Sequence, residues 1–311
     1  MTERDTLSVV TAEPPRTSAG RAVADGLVVV DKPAGWTSHD VVARIRRLAG
    51  TRRVGHAGTL DPMATGVLVV GIGKATRLLG HLALSEKEYT ATIRLGQATD
   101  TDDAEGEVVA QASAADVTDG ALQAAAATLT GEIQQVPPGF SAIKVAGKRA
   151  YRMARAGAAP ELAARTVTVR ELTIQAVHRA GLLVDVDVTV ICSSGTYIRA
   201  LARDLGAALG VGGHLTALRR TRVGPYTVAV ARTLDQLAGS FDVIPLADAA
   251  ASAFVRRDLS EDEARRVAHG ARLPLTAAGG GPVAAFAPDG SLVALLADEG
   301  GEARPLAVFV P

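Results

Sequence analysis

The order of short apolar strands constrains the fold of this chain most strongly. Stretches such as "GLVVV" (26–30) and "GVLVVGIG" (66–73) predict buried strands, and "KEYTATIRLG" (87–96) alternates like a half-buried one. Two further β-branched strands, "RTVTVRELTIQAV" and "LLVDVDVTVIC", meet at Gly181. Helical patterns occur between some of these strands but do not alternate with them strictly. The order therefore predicts an α+β fold rather than a doubly wound parallel sheet.

The chain divides into three predicted regions. Residues 1–24 mix Pro, Ser, Thr and charged residues without any period, which is typical of a disordered tail. Residues 25–248 carry the long run of strands and helices. Residues 250–311 contain a capping-box pattern at Ser260 and a Pro-Asp-Gly turn between two apolar strands. We expect this last region to form a small, mainly-β unit.

Several classes of protein are disfavoured by the composition. The single cysteine, Cys192, excludes a disulfide framework and a cysteine-based zinc site, and the six histidines show no metal-ligand spacing. No apolar run reaches the length of a membrane span, and the N-terminus lacks a signal core. "VGIGKAT" fails as a phosphate-binding loop because Leu68 and Ala75 stand where Gly and Ser or Thr are needed. We therefore expect a cytoplasmic protein without metal or nucleotide cofactor, and a monomer.

A neutral net charge conceals three basic clusters. Lys+Arg number 33 and Asp+Glu number 33, yet residues 44–77 hold seven Lys or Arg against Asp61 alone. Residues 141–157 and 199–222 are also basic, whereas "DTDDAEGE" (100–107) is acidic. The pattern predicts separate basic and acidic surfaces, and basic surfaces suit nucleic acid. Solvated helix faces are the simpler alternative for any one cluster.

Asp61 is the carboxylate that stands out, because it lies inside the basic, glycine-rich stretch "RRVGHAGTLDPMATG". An Asp-Pro pair commonly begins a turn, which is a purely structural reason for this residue. Gly55 and Gly58 would also let a ligand approach the backbone, and the flanking arginines favour the ionised carboxylate. Such a group suits nucleophilic attack on a sugar or a base.

Other candidate residues have structural alternatives of their own. Arg199 could pair with a carboxylate or an RNA phosphate, or be an exposed helix arginine. Tyr89 and Tyr197 could stack on a base, although a tyrosine in an alternating strand usually packs in the core. His56 could be a loop hydrogen-bonding residue or fill the space left by a displaced base.

Taken in order, the motifs resemble those of a known family. The blocks "DKPAGWTSHDVV", "GHAGTLDPMATGVLVVGIGKATRL", "KEYTATIRLGQATDTDDAEG", "VPPGFSAIKVAGKRAY" and "CSSGTYIRALARDLG" look like successive signatures of the bacterial tRNA pseudouridine synthase B family. The resemblance runs from about residue 26 to residue 226. It implies isomerisation of uridine 55 in the T-loop of tRNA, a catalytic fold around a mostly antiparallel mixed sheet, and a C-terminal domain similar to the PUA RNA-binding type.

Roles for individual residues come from that resemblance. It implies that Asp61 is the catalytic nucleophile or base, by attack at C1′ of the ribose, attack at C6 of the base, or removal of the C2′ proton. It implies that His56 fills the vacated space, Tyr89 stacks on the flipped uracil and Arg199 positions the aspartate. Substrate contacts are also implied for Leu218, Lys32 and Lys144, the two lysines with either phosphate-binding or structural roles.

The sequence is compatible with two rival functions. A noncatalytic RNA-binding protein would share the basic surface, but it has no use for a carboxylate beside phosphates. A nucleoside or glycoside hydrolase usually needs two cooperating carboxylates, and no second acid lies near Asp61 in the sequence.

Overall fold

The computed structural model describes residues 24–140, 144–145, 148–149, 162–275 and 281–310. The rest of the expected disordered tail, residues 1–23, lies outside this part. In chain order the strands are β1 (Gly26–Lys32), β2 (Val54–His56), β3 (Thr65–Ile72), β4 (Lys87–Leu95), β5 (Gln97–Thr99), β6 (Val108–Gln111), β7 (Gly131–Gln135), β8 (Lys144–Val145), β9 (Lys148–Arg149), β10 (Arg165–Ala180), β11 (Leu183–Cys192), β12 (Gly213–Val223), β13 (Tyr226–Thr227), β14 (Ile244–Pro245), β15 (Val255–Asp258), β16 (Leu273–Pro274), β17 (Val283–Phe286), β18 (Leu292–Glu299) and β19 (Glu302–Val308).

Helices fill the intervals between the strands. They are α1 (Ser38–Ala49), a 3-10 helix (Gly73–Arg77), α2 (Leu79–Leu82), α3 (Asp119–Thr128), α4 (Ile198–Ala208), α5 (Leu234–Gly239), α6 (Leu246–Ala253) and α7 (Glu261–Ala268). In the part of the chain that the structure describes, no helix has both the length and the apolarity needed to cross a membrane.

One ten-stranded sheet is built from strands that lie between Gly26 and Pro245. Its order is β14-β1-β3-β12-β4-β11-β10-β7, with β13 paired to β12 and β2 paired to β3. The pairs are antiparallel except β12 with β3, which is parallel. The predicted α+β class, built around a mostly antiparallel mixed sheet, is confirmed.

Strand β4 shows why the alternating sequence becomes a central strand. Its odd-numbered residues from Lys87 to Leu95 are buried, while the residues between them are half-buried or exposed. The buried face packs against α4, whose apolar residues Ile198, Leu201 and Leu205 belong to the same core. A strand with one buried face needs this period of two.

Helix α1 begins one residue earlier than its sequence suggested. The apolar period of "SHDVVARIRRLAG" predicts a helix with Ser38 as its cap, but the N-cap is Thr37, which forms a reciprocal capping box with Asp40. The Thr37 hydroxyl accepts from the Asp40 backbone N–H at 3.1 Å, and the Asp40 carboxylate accepts from the Thr37 N–H at 2.9 Å. Ser38 is thereby released from capping and turns inward, where it is 1% exposed.

The C-terminal strands form a second, five-stranded sheet in the order β15-β17-β18-β19-β16. The predicted hairpin through Pro-Asp-Gly joins β17 to β18, and Ser260 and Glu263 form the predicted capping box of α7. This sheet packs on the larger one through a single apolar core. That core contains Leu27, Val29, Val67 and Val69 from β1 and β3 together with Ala284, Phe286, Leu292, Leu295 and Phe309.

Candidate active site

The loop that carries Asp61 joins β2 to β3 and is fixed on both sides of the aspartate. The Ser38 hydroxyl accepts from the Leu60 N–H at 2.9 Å and lies 3.1 Å from the Leu60 carbonyl, to which it donates. The Pro62 carbonyl accepts from Lys32 Nζ at 3.1 Å and from the Gly35 N–H at 2.9 Å. Backbone atoms next to Asp61 are thus held by the segment between β1 and α1.

The turn interpretation and the functional interpretation of Asp61 are compatible. The Ala64 N–H donates to the Asp61 carbonyl at 3.1 Å, which closes a turn. The side chain is left outside the turn's hydrogen bonding and stays 36% exposed. A tight turn therefore presents the carboxylate at the surface of a pocket.

Arg199 lies against this carboxylate at the start of α4. Its Nε is 3.0 Å from Asp61 Oδ2, and the guanidinium is only 5% exposed. The Nε–H does not point at the oxygen well enough for a hydrogen bond, so the contact is an ion pair. The other nitrogens donate to the carbonyls of Thr101 at 2.8 Å and Phe140 at 2.9 Å. The alternative of an exposed helix arginine is wrong.

Two expectations about acidic residues are corrected by the structure. Asp103, which is 3% exposed, lies 3.4 Å from Arg199 Nη1, and Asp102 pairs with Arg203 at 3.1 Å. Two acids of this segment therefore pair with arginines of α4, whereas Asp100, Glu105 and Glu107 stay exposed. A second carboxylate does lie near the site, although it is not among the residues that line the pocket. No local sequence pattern indicates this contact, because Asp103 and Arg199 are 96 residues apart in the chain.

A pocket of about 260 Å³ lies beside the ion pair. It brings together five of the predicted site residues: Asp61, Tyr89, Tyr197, Arg199 and Leu218. Burial raises the pKa of the Tyr89 phenol, and the neighbouring Arg220 acts in the opposite direction. The neutral phenol is therefore favoured at neutral pH, and its ring can pack on a base that enters the pocket.

Three other predicted residues are not among those that line the pocket. His56 lies on β2, where burial, with His39 and Arg220 acting in the same direction, lowers the pKa of its ring. Lys32 is fully buried and donates to three backbone carbonyls, and burial lowers its pKa to about 8. This geometry favours the structural role of Lys32 over phosphate binding. Lys144 is on β8, but its side chain lies outside the described residues.

Two buried cations line the pocket and were missed in the sequence. Arg220, 1% exposed, donates to the carbonyls of Val67 at 2.7 Å and Gly58 at 3.0 Å. Lys87 donates to two carbonyls, and burial lowers its pKa to about 8. Each stands two residues from a predicted site residue on the same strand, Lys87 from Tyr89 and Arg220 from Leu218. Residues two apart on a strand lie on the same face, so this spacing could have indicated that both cations line the pocket.

Gly58 in this loop and Gly66 on β3 serve the protein's own packing. Gly66 has φ +97°, and a Cβ there would lie 2.2 Å from the carbonyl oxygen of Arg220. The close approach of β3 to β12 therefore requires glycine. Gly58 has φ +92°, and its Cβ would face Lys87 and Arg220 at 3.5 and 3.6 Å.

Among the described residues, no three His, Cys, Asp or Glu side chains lie close enough together to hold a metal ion.

Comparisons with known proteins place this chain in a family. Profiles of three domains match successive parts of the chain: "TruB family pseudouridylate synthase (N terminal domain)" over residues 46–198, "tRNA pseudouridylate synthase B C-terminal domain" over 199–247, and "tRNA Pseudouridine synthase II, C terminal" over 254–310. The matches jointly cover the C-terminal sheet and every strand of the larger sheet except β1.

Relatives of high identity carry one name. The tRNA pseudouridine synthase B of Thermobifida fusca is 65% identical, with 92% of this chain and 99% of that protein aligned. The protein of the same name from Arthrobacter sp. is 64% identical over 92% and 97%. Among solved structures, a Cbf5-Nop10-Gar1 complex matches with a TM-score of 0.71 and 29% identity, covering 92% of this chain and 85% of that one. On this evidence the chain belongs to the TruB family of pseudouridylate synthases.

Proposed function

We propose that this enzyme converts uridine 55 in the T-loop of tRNA into pseudouridine, with Asp61 as the group that attacks the flipped nucleotide. The observation that supports this most directly is the Asp61–Arg199 ion pair at a pocket lined by Tyr89, Tyr197 and Leu218. A carboxylate held by a buried arginine and turned toward a base-sized space suits chemistry on one nucleotide.

The reaction is an isomerisation that balances within the substrate. The bond from N1 of uracil to C1′ of the ribose breaks, the base turns, and C5 bonds to C1′. A proton leaves C5, and N1 carries a proton in the product. Asp61 attacks C1′ or C6, or removes the C2′ proton, and Arg199, whose Nε lies 3.0 Å from Asp61 Oδ2, keeps the carboxylate oriented for each of these routes.

Entry of the base requires its extrusion from the RNA loop. Unstacking costs on the order of a few kcal/mol, which contacts in the pocket must offset. In this proposal Tyr89 and Leu218 pack on the uracil, and Tyr197 contacts it from the start of α4. His56 occupies the space that the base leaves in the RNA, which agrees with its position outside the pocket lining.

Release of tritium from uracil C5 tests the role of Asp61. With a tRNA transcript tritiated at C5 of every uracil, we expect the wild-type protein to release one equivalent per tRNA. Asp61→Asn should lower the rate at least about 10³-fold, since it removes the attacking group. A matched control is Asp116→Asn, which changes an exposed carboxylate in a distant loop. Wild-type turnover by Asp61→Asn would refute the assignment.

Two further measurements test which uridine of the tRNA is modified and distinguish the isomerisation from the rival functions. A transcript with cytidine at position 55 should release no tritium; undiminished release would place the reaction elsewhere in the tRNA. Chromatography of the products should show pseudouridine in the RNA, whereas free uracil would favour a hydrolase. Tight tRNA binding without tritium release would favour a noncatalytic RNA-binding protein.

The regions of the chain receive separate roles in this proposal. Residues 25–248 form the catalytic domain, and residues 250–311 form a PUA-like domain that binds RNA beyond the T-loop. A tRNA substrate also implies that the enzyme works in the bacterial cytoplasm.

A further inference from the structure

A group of cations at the end of α1 lacks carboxylate partners in the described part of the chain. We call it the α1-end patch; it consists of Arg46, Arg47, Arg52, Arg53 and Lys74. None of the five forms an ion pair with a described residue, and Arg47, Arg52 and Arg53 are exposed. The patch therefore presents positive charge to solvent.

Backbone contacts bring the patch together from three segments. Arg46 donates to the Val54 carbonyl at 3.1 Å, which places its guanidinium beside the start of β2. The Gly73 N–H donates to the Arg53 carbonyl at 2.8 Å, which places Lys74 next to Arg53. Two acids are close: Asp25 accepts from the Lys74 backbone N–H at 2.7 Å, and Asp40 lines a surface hollow together with Arg47. Five cations and two carboxylates leave a net positive surface.

The other basic cluster that the structure describes is neutralised internally. Arg199 and Arg203 pair with Asp61, Asp102, Asp103 and Asp204, Arg219 pairs with Asp31, and Arg222 pairs with Glu86 and Glu88. Arg220 is buried against carbonyls. The attraction of a helix C-terminus for cations accounts for Arg46 and Arg47 but not for Arg52 and Arg53, which lie beyond the helix.

The position of the patch relates it to the catalytic loop. Helix α1 starts at Ser38, which is bonded to Leu60, and runs to Ala49, a length of about 16 Å. Strand β3 runs from the loop to Gly73 over about 23 Å. The patch thus lies roughly 15–25 Å from Asp61, farther than one nucleotide can reach.

We propose that the α1-end patch binds the phosphate backbone of a helical segment of the substrate tRNA outside the T-arm, while the flipped uridine occupies the pocket. This inference rests on the proposed function. Exposed arginines without acidic partners are suited to phosphates, because no existing ion pair has to be broken. Contacts of this kind position the RNA without reading its sequence.

Two RNA substrates of different length test the patch. One is the full tRNA transcript, and the other is a hairpin limited to the T-arm. The double variant Arg52→Ala/Arg53→Ala should weaken tRNA binding about tenfold at physiological salt and reduce the slope of log Kd against log salt by up to about 2. Turnover of the hairpin should stay within about twofold of wild type. The backbone bonds of Arg53 survive the change, so we expect the fold to persist.

The matched control is Arg170→Ala/Arg265→Ala. It removes the same charge from two arginines whose side chains are each 71% exposed but are paired with Glu86 and Asp262. Unchanged tRNA affinity and salt slope in the patch variant would overturn the inference. It would also be overturned if the patch variant lost as much affinity for the hairpin as for the full tRNA, or if the control variant lost as much affinity for tRNA as the patch variant. If wild-type protein modifies neither RNA, the proposed function fails, while the binding data still decide on the patch.

Discussion

Ser38 connects the start of α1 to the residue before Asp61. Its hydroxyl is both acceptor and donor for the Leu60 backbone, at 2.9 and 3.1 Å, and is buried. The proposed reaction requires Asp61 to stay within a fraction of an ångström of its productive position, and a bond to the adjacent peptide is a means of holding it there. We interpret Ser38 as a positioning residue rather than a catalytic one.

Replacing Ser38 with alanine should therefore affect turnover more than binding. We expect kcat for tRNA to fall about ten- to a hundredfold, with KM changed less than threefold, because Leu60 loses both partners while the pocket keeps its lining. Steady-state kinetics of tritium release would measure this split. The matched control is Thr37→Ala, which removes the cap of α1 at a cost of about 1 kcal/mol but does not touch Leu60. An equal fall of kcat in both variants would assign the effect to the helix instead.

Local sequence motifs indicated the residues that we propose for catalysis, but not the residues that hold them in place. Asp61, Tyr89 and Arg199 stand in distinctive local motifs, and the structure brings them to one pocket. Ser38 was assigned to a cap because its contact with Leu60 spans 22 residues, which no local pattern reveals. The contact between Asp103 and Arg199 could not be predicted for the same reason, because the two residues are far apart in the sequence.

Among the elements, α4 joins three segments that are distant in sequence. Arg199 contacts the Asp61 loop, the acidic segment and the Phe140 carbonyl, and Arg203 one turn later contacts Asp102 and the Val136 carbonyl. The apolar face of this helix was predictable from its period. Its polar contacts were not predictable, since they depend on which distant segments of the chain the sheet brings next to the helix.

The C-terminal sheet is predicted to unfold together with the larger one. Phe286 is 1% exposed and belongs to the core that also contains Leu27 and Val67, so neither sheet can lose its partner without exposing apolar surface. Phe286→Ala should lower the free energy of unfolding by about 3–5 kcal/mol. Calorimetry should show a single transition at reduced temperature.

Two separate transitions, with only the weaker one shifted by Phe286→Ala, would contradict this coupling. A suitable control is Val255→Ala on β15, since Val255 is 58% exposed and its truncation should change stability little. The sequence indicated a separate C-terminal unit, and it could not show the contact because each side of the shared core reads locally as an ordinary apolar strand.

For the molecule as a whole, counting basic residues overstates the RNA-binding surface. Arg222 illustrates the reason, because it bonds to Glu86 at 2.9 Å and to Glu88 at 3.2 Å and is only 24% exposed. Arg222→Ala should therefore lower stability by about 1–2 kcal/mol and leave the salt dependence of tRNA binding unchanged. Urea unfolding and fluorescence anisotropy over a series of salt concentrations would measure the two effects. A reduced salt slope would show that Arg222 reaches a phosphate.

The core shared by the two sheets also bears on biosynthesis. Strands β1 and β3 leave the ribosome first, yet the side chains that cover Leu27, Val29, Val67 and Val69 include Phe286, Leu295 and Phe309. For most of translation this apolar face of the nascent chain has no final partner, which is a condition that favours aggregation and chaperone binding. The last strands to be made thus protect the first, and a chain that stops short of β17 would expose a surface that quality control can recognise.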